Sequence, residues 1–99
     1  MGVRSRSPLP TGAQYGLAVS STVVTLTVPS TAMCAEIYVR SNAVVYTTSG
    51  TDPTSTKGKQ ADPGDIIMLN SRAELDRFEV IRQSADATLD VVYYTDLSG

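Results

Sequence analysis

The sequence predicts a single all-β domain, an antiparallel sandwich or barrel of about seven strands. Three observations predict it. Val, Thr, Ser and Tyr are abundant across the 99 residues, and these types suit pleated, half-buried surfaces and the turns between them. Apolar residues recur with period two in several short runs. Pro, Gly, Asn and Asp punctuate the chain at intervals too short for long helices. At this length one domain is expected, with roughly 65% of the unfolded surface buried on folding and no cross-link needed.

The elements follow in order. Residues 1–12, MGVRSRSPLPTG, form an extended N-terminal arm, and residues 13–99 form the β-domain. The prolines at 8 and 10 forbid helix. The arm carries both of its charges as Arg4 and Arg6, so it is +2 in a chain whose net charge is −2. Strands are expected at 14–19 and 21–28, where Val24, Leu26 and Val28 alternate with Thr25 and Thr27. Another runs over 33–40, with Met33, Ala35, Ile37 and Val39 on one face. Ser41-Asn42 is a turn, because Asn tolerates positive φ, and 43–48 returns as the antiparallel partner.

A long polar loop is expected over 49–64, with Lys57 and Lys59 at its centre. Asp62-Pro63-Gly64-Asp65 reads as a tight turn with Pro second and Gly third. Residues 66–69 form an apolar strand. One helical turn is expected over 71–76, with Ser71 as cap and Glu74 three residues later as its reciprocal partner. Residues 78–83 and 88–95 form a closing hairpin. Tyr93 and Tyr94 are adjacent in a strand, so they point to opposite faces and one leaves the core.

The same residues exclude most chemistry. Histidine is absent and Cys34 is the single cysteine, which removes the usual catalytic triads, zinc sites and thiol chemistry. Cys34 reads as a small packed residue, and one cysteine allows no intramolecular disulfide. Asp52, Asp62, Asp65, Asp86 and Asp90 fall in or beside expected turns, where Asp holds backbone. Asp62 and Asp65 lack a calcium-loop spacing. Lys57-Gly58-Lys59 lacks the frame of a phosphate loop. No catalytic, metal or cofactor residue is assigned, and no cofactor is expected.

No run approaches the 18 apolar residues that span a bilayer, the N-terminus lacks the apolar core of a signal peptide, and the slight negative charge speaks against a nucleic-acid binder. Neither membrane nor nucleic acid is therefore expected as a partner.

The run VVYTTSGTDPTSTKGKQADPGDIIML over 44–69, followed by FEVIRQSADATLDVVYY over 78–94, resembles a group of small virion proteins of tailed bacteriophages. A strand ending in Y-T, a G-T-x-P-T loop, a Gly-containing turn and a closing hairpin recur together in that group. The resemblance covers about half the chain. It implies a β-sandwich or barrel with jelly-roll character, made in the cytoplasm of a bacterial host and located in the virion. The implied role is a non-enzymatic capsid decoration or cement protein. Its partners would be the major capsid protein or other virion subunits, and it would be a homo-oligomer, with a trimer expected at a threefold position.

On this reading Val3, Arg4, Arg6, Pro8 and Leu9 dock the arm on a partner, and Thr51, Lys57 and Lys59 present the loop. Arginine suits the role because its planar fork pairs with carboxylates. A head-completion or tail component is the alternative within the same particle. YTTSGTDPTS is also similar to a motif of immunoglobulin-like domains appended to chitinolytic enzymes, which implies a glycan-binding module using exposed tyrosines such as Tyr46.

Overall fold

The computed structural model describes residues 8–96. Its eight strands are β1 (Pro8–Val19), β2 (Val24–Thr25), β3 (Cys34–Ser41), β4 (Val44–Thr47), β5 (Lys59–Ala61), β6 (Ile66–Leu69), β7 (Glu79–Arg82) and β8 (Ala87–Asp96). A single helix, α1 (Arg72–Arg77), separates β6 from β7. The strands form two four-stranded sheets, in the orders β1-β8-β3-β6 and β2-β7-β4-β5. Every pairing between named strands is antiparallel.

This order is a jelly roll. The pairs β1:β8, β2:β7, β3:β6 and β4:β5 are those of one long ribbon folded at its middle. The ribbon is then rolled, so that β8 also meets β3 and β7 also meets β4. Inward residues of both sheets make one core, with Ile37, Leu89, Val91 and Tyr93 from the first sheet and Val44 and Val80 from the second. Phe78 and Leu75 close it from the α1 side. Alternation produces this directly. Along β3, Ala35, Ile37 and Val39 are buried while Tyr38 and Arg40 are exposed, as a strand with one wet face requires.

Two expected hairpins are not hairpins. β3 and β4 lie in different sheets, and so do β7 and β8. The β3–β4 link turns at Asn42, whose φ is 59°, beside a register shift between Val39 and Ser41. Asn42 Nδ2 donates to the Asp86 carbonyl at 2.7 Å, and the Gln83 N–H donates to the Ala43 carbonyl at 3.0 Å. Each crossover therefore satisfies the other's backbone, where a hairpin would have satisfied its own. Arg82 pairs with Asp86 at 2.6 Å across the second crossover.

Other boundaries differ for local reasons. β1 begins at Pro8, with Pro8 opposite Asp96 and Leu9 opposite Thr95. The expected arm boundary at residue 12 thus falls inside a strand. The strand foreseen at 21–28 pairs only at Val24 and Thr25, opposite Val80 and Glu79. Beyond Thr25 the register would continue onto Phe78 and Arg77, which the end of α1 takes out of the sheet. Leu26 and Val28 still pack on the core. The eighth strand, β5, lies inside the expected loop. Its Lys-Gln-Ala sequence has no apolar alternation to announce it.

The turn and the cap match the sequence. The Asp65 N–H donates to the Asp62 carbonyl at 2.9 Å with Gly64 at φ 92°, where glycine alone is unstrained. Ser71 Oγ accepts the Glu74 N–H at 3.2 Å. The Glu74 carboxylate reaches one residue past the cap, to the Asn70 N–H at 2.6 Å. Arg72 then ties α1 to the segment before β3, donating to the carbonyls of Pro29 (2.8 Å) and Ala32 (3.0 Å).

One polar junction spans the core. Gln14 in β1 accepts at Oε1 from the Tyr93 hydroxyl of β8 and from the Thr27 N–H beyond β2, the latter at 3.1 Å. Tyr93 is only 1% exposed, so burial pushes its hydroxyl up to about 12 from the usual 10. Folding therefore favours the protonated phenol. Its contribution is complete below pH 10 and is lost as pH rises through the interval to about 12. Urea midpoints measured from pH 8 to 12 should fall across that window more steeply for the native chain than for Tyr93→Phe. The substitution itself should cost about 1 kcal/mol at neutral pH, the net worth of a buried hydrogen bond. Parallel pH profiles would remove Tyr93 as the titrating group.

Candidate interaction surface

The residues expected to carry attachment separate into two places. Val3, Arg4 and Arg6 lie outside the described residues. Pro8 and Leu9 belong to β1, where Leu9 is 48% exposed. Thr51 and Lys57 are exposed in the β4–β5 connection, whereas Lys59 opens β5 opposite Tyr46. Lys59 is therefore a strand residue at the loop's base. β1 is an edge of the first sheet and β5 an edge of the second, so Pro8 and Leu9 stand on a different sheet from Lys59.

The loop is a folded object. Thr54 and Lys57 exchange both backbone hydrogen bonds, at 3.0 and 3.2 Å. Thr47 Oγ1 donates to the Thr51 carbonyl at 2.6 Å, and Pro53 is fully buried beneath the loop. Gly58 seats the returning strand. A Cβ there would lie 2.8 Å from the Tyr46 carbonyl oxygen and from Val45 Cγ1, and its φ is 129°. The glycine of Lys57-Gly58-Lys59 thus serves close approach to β4.

Beside it is a shallow hollow of about 210 Å³ lined by Tyr46, Thr47, Thr48, Ser49, Gly58 and Lys59. That is smaller than the ~300–1,000 Å³ of ordinary ligand pockets. Tyr46 is itself engaged, with its ring 5.6 Å from that of Phe78, and burial raises its hydroxyl's pKa. It is not the open stacking platform that a glycan site requires.

The acids divide by role. The Asp65 carboxylate accepts the Asp62 N–H at 2.8 Å, and Asp62 accepts from Gln60 at 2.9 Å. Both hold the turn, as expected. Asp90 lies on the outward face of β8, where the Arg40 guanidinium (2.9 Å) and the Gly16 N–H (2.9 Å) hold its carboxyl below the usual carboxylate range. Glu79, unnoticed in the sequence, has a buried Oε1 without a partner. Burial raises its pKa, and the neighbouring Asp52 charge adds to the effect. No group of three or more metal-ligating side chains converges among the described residues.

The largest unexplained feature is the outward face of the first sheet. Register places Met68, Glu36, Val92 and Ala13 in one row across β6, β3, β8 and β1. Ile66, Tyr38 and Asp90 form the next row, and Cys34 and Tyr94 stand side by side beyond the first. Cys34 is half-buried here, on the side opposite to the core. Ile66 (55%), Met68 (51%) and Tyr38 (43%) remain widely exposed. The run 66–69 is apolar at all four positions, yet only Ile67 and Leu69 are buried. Period two shows that two of its four residues must leave the core, which was the available signal.

Comparison with family models, curated protein sequences and solved structures finds no match for the chain.

Gly58→Ala should destabilise the fold by about 1–3 kcal/mol, since it adds contact to a φ suited only to glycine. Gly64→Ala, which meets nothing within 4 Å, should cost about 1 kcal/mol from φ alone. Equal losses in thermal denaturation would show that the close approach to β4 is unimportant.

Proposed function

We propose that the protein is a non-enzymatic structural subunit of a tailed-bacteriophage virion, of the capsid decoration or cement type. Jelly-roll sandwiches recur in viral capsid, lectin and cupin domains. The fold by analogy narrows the choice only so far. The resemblance of the 44–94 segment to small virion proteins favours the first of the three. The observation that carries the reading is the jelly-roll order of the two sheets, taken with that resemblance.

The mechanism is mechanical. Docking across capsomer boundaries adds buried area that resists shell expansion and leakage. About 800 Å² per partner is enough for specific attachment, and self-association multiplies it. The segment ahead of β1 supplies a contact through Val3, Arg4 and Arg6, which have carboxylates as natural partners. Residues 8–12 pair with β8 and belong to the scaffold.

Removing residues 1–7 should therefore weaken binding to capsids of the parent phage at least tenfold without lowering the melting temperature. Sedimentation of the truncated protein with capsids reads this directly. Saturation at native concentration would discard the arm. Copy number distinguishes the sites on the particle: hundreds per virion fit decoration, whereas a dozen or fewer fit a head-completion or tail component.

A further inference from the structure

Two charged residues on β3 flank its exposed tyrosine in sequence. Glu36 lies two residues before Tyr38 and Arg40 two residues after it, and all three project from the outward face of the first sheet. Glu36 is about 6.7 Å from Tyr38 along the strand, and Arg40 stands at the register shift between Val39 and Ser41. Ile66 flanks Tyr38 on one side, and the row of Met68, Glu36, Val92 and Ala13 lies next to it. We propose that this face is an isologous dimer interface, and that its occupant is the same face of a second copy of this chain.

The charge pattern selects that occupant. Let a twofold axis run across the strands, between the two sheets and over Tyr38. Each β3 then faces its counterpart in the reversed direction, within the ~30° at which packed sheets align. Glu36 of each copy comes opposite Arg40 of the other. Tyr38 meets Tyr38 and Ile66 meets Ile66 at the axis, where an isologous interface requires self-complementary groups. Offset rings are a favoured aromatic contact.

Asp90, in the same row, would otherwise face its own copy. Its charge is already matched within the chain by Arg40 at 2.9 Å. Arg40 bonds Asp90 through one nitrogen of its guanidinium, and its side chain is 58% exposed. Its remaining donors are enough to bridge to a carboxylate on a neighbour.

The size is also suitable. Three half-exposed large side chains with Val92, Cys34 and Ala13 present apolar surface on the order of 400 Å², the size of the largest patch on a typical monomer, which is often functional. That is about half of the ~800 Å² each partner buries in a standard complex. The other half falls to the polar rim, as interfaces usually divide. A foreign partner would need no such symmetry between Glu36 and Arg40.

Sedimentation equilibrium of the full chain between about 10 and 100 µM tests the proposal. A mass of two chains is expected. Glu36→Arg and Arg40→Glu should each weaken the dimer at least tenfold by setting like charges opposite one another. The double exchange should recover at least tenfold over either single change. Met68→Glu should also dissociate it, and circular dichroism melts confirm that each variant folds.

A monomer or a trimer across that range overturns the proposal. So does a dimer that survives both Glu36→Arg and Met68→Glu, or a double exchange without recovery. A dimer lost on deleting residues 1–7 would make the N-terminal segment the occupant and equally overturn the face-to-face arrangement. The inference stands apart from the virion reading: a dimer that ignores capsids would sink that reading alone.

Discussion

The pairing of β1 with β8 is the interaction on which the rest of the molecule depends. It joins the first described strand to the last and completes the long ribbon that the β8:β3 pairing rolls up. Without it β8 would be an edge, the first sheet would lose one of its four strands, and Tyr93 would lose the glutamine that holds its hydroxyl. Contacts this distant in sequence form only after the intervening loop has closed. Jelly-roll domains are slow to fold for that reason, compared with domains built from local contacts.

Much of this was legible in the residues. Alternation identified β3 and β8, a short apolar run identified β6, and the turn at Asn42 announced β4. Asn42, the Pro63-Gly64 turn and the Ser71 cap each have local chemistry that a sequence carries openly. Which strands pair is a different kind of information. Sequence neighbours are usually spatial neighbours, and that default produced two hairpins where the chain crosses between sheets. The deciding bonds, Asn42 to Asp86 and Gln83 to Ala43, join residues about 40 apart and leave no local trace.

β5 was invisible for another reason. A three-residue edge strand made of Lys, Gln and Ala pairs through its backbone, and its side chains say nothing. The candidate surfaces were legible unevenly. The sequence offered a charged arm and a charged loop, because charge is visible one residue at a time. The apolar outward rows arise from register across four strands, which no single segment reveals. Glu79 beside Asp52 is equally a product of tertiary placement.

The register that sets Pro8 opposite Asp96 has a mechanical meaning. The chain enters and leaves the sandwich at one corner. Tension applied between its two ends would open the β1–β8 ladder one rung at a time, the unzipping geometry in which hydrogen bonds break singly. Load spread over the broad face of a sheet is instead shared by all of its strands at once. A protein of this design withstands strain well only when it is held by its flank, with its ends left slack.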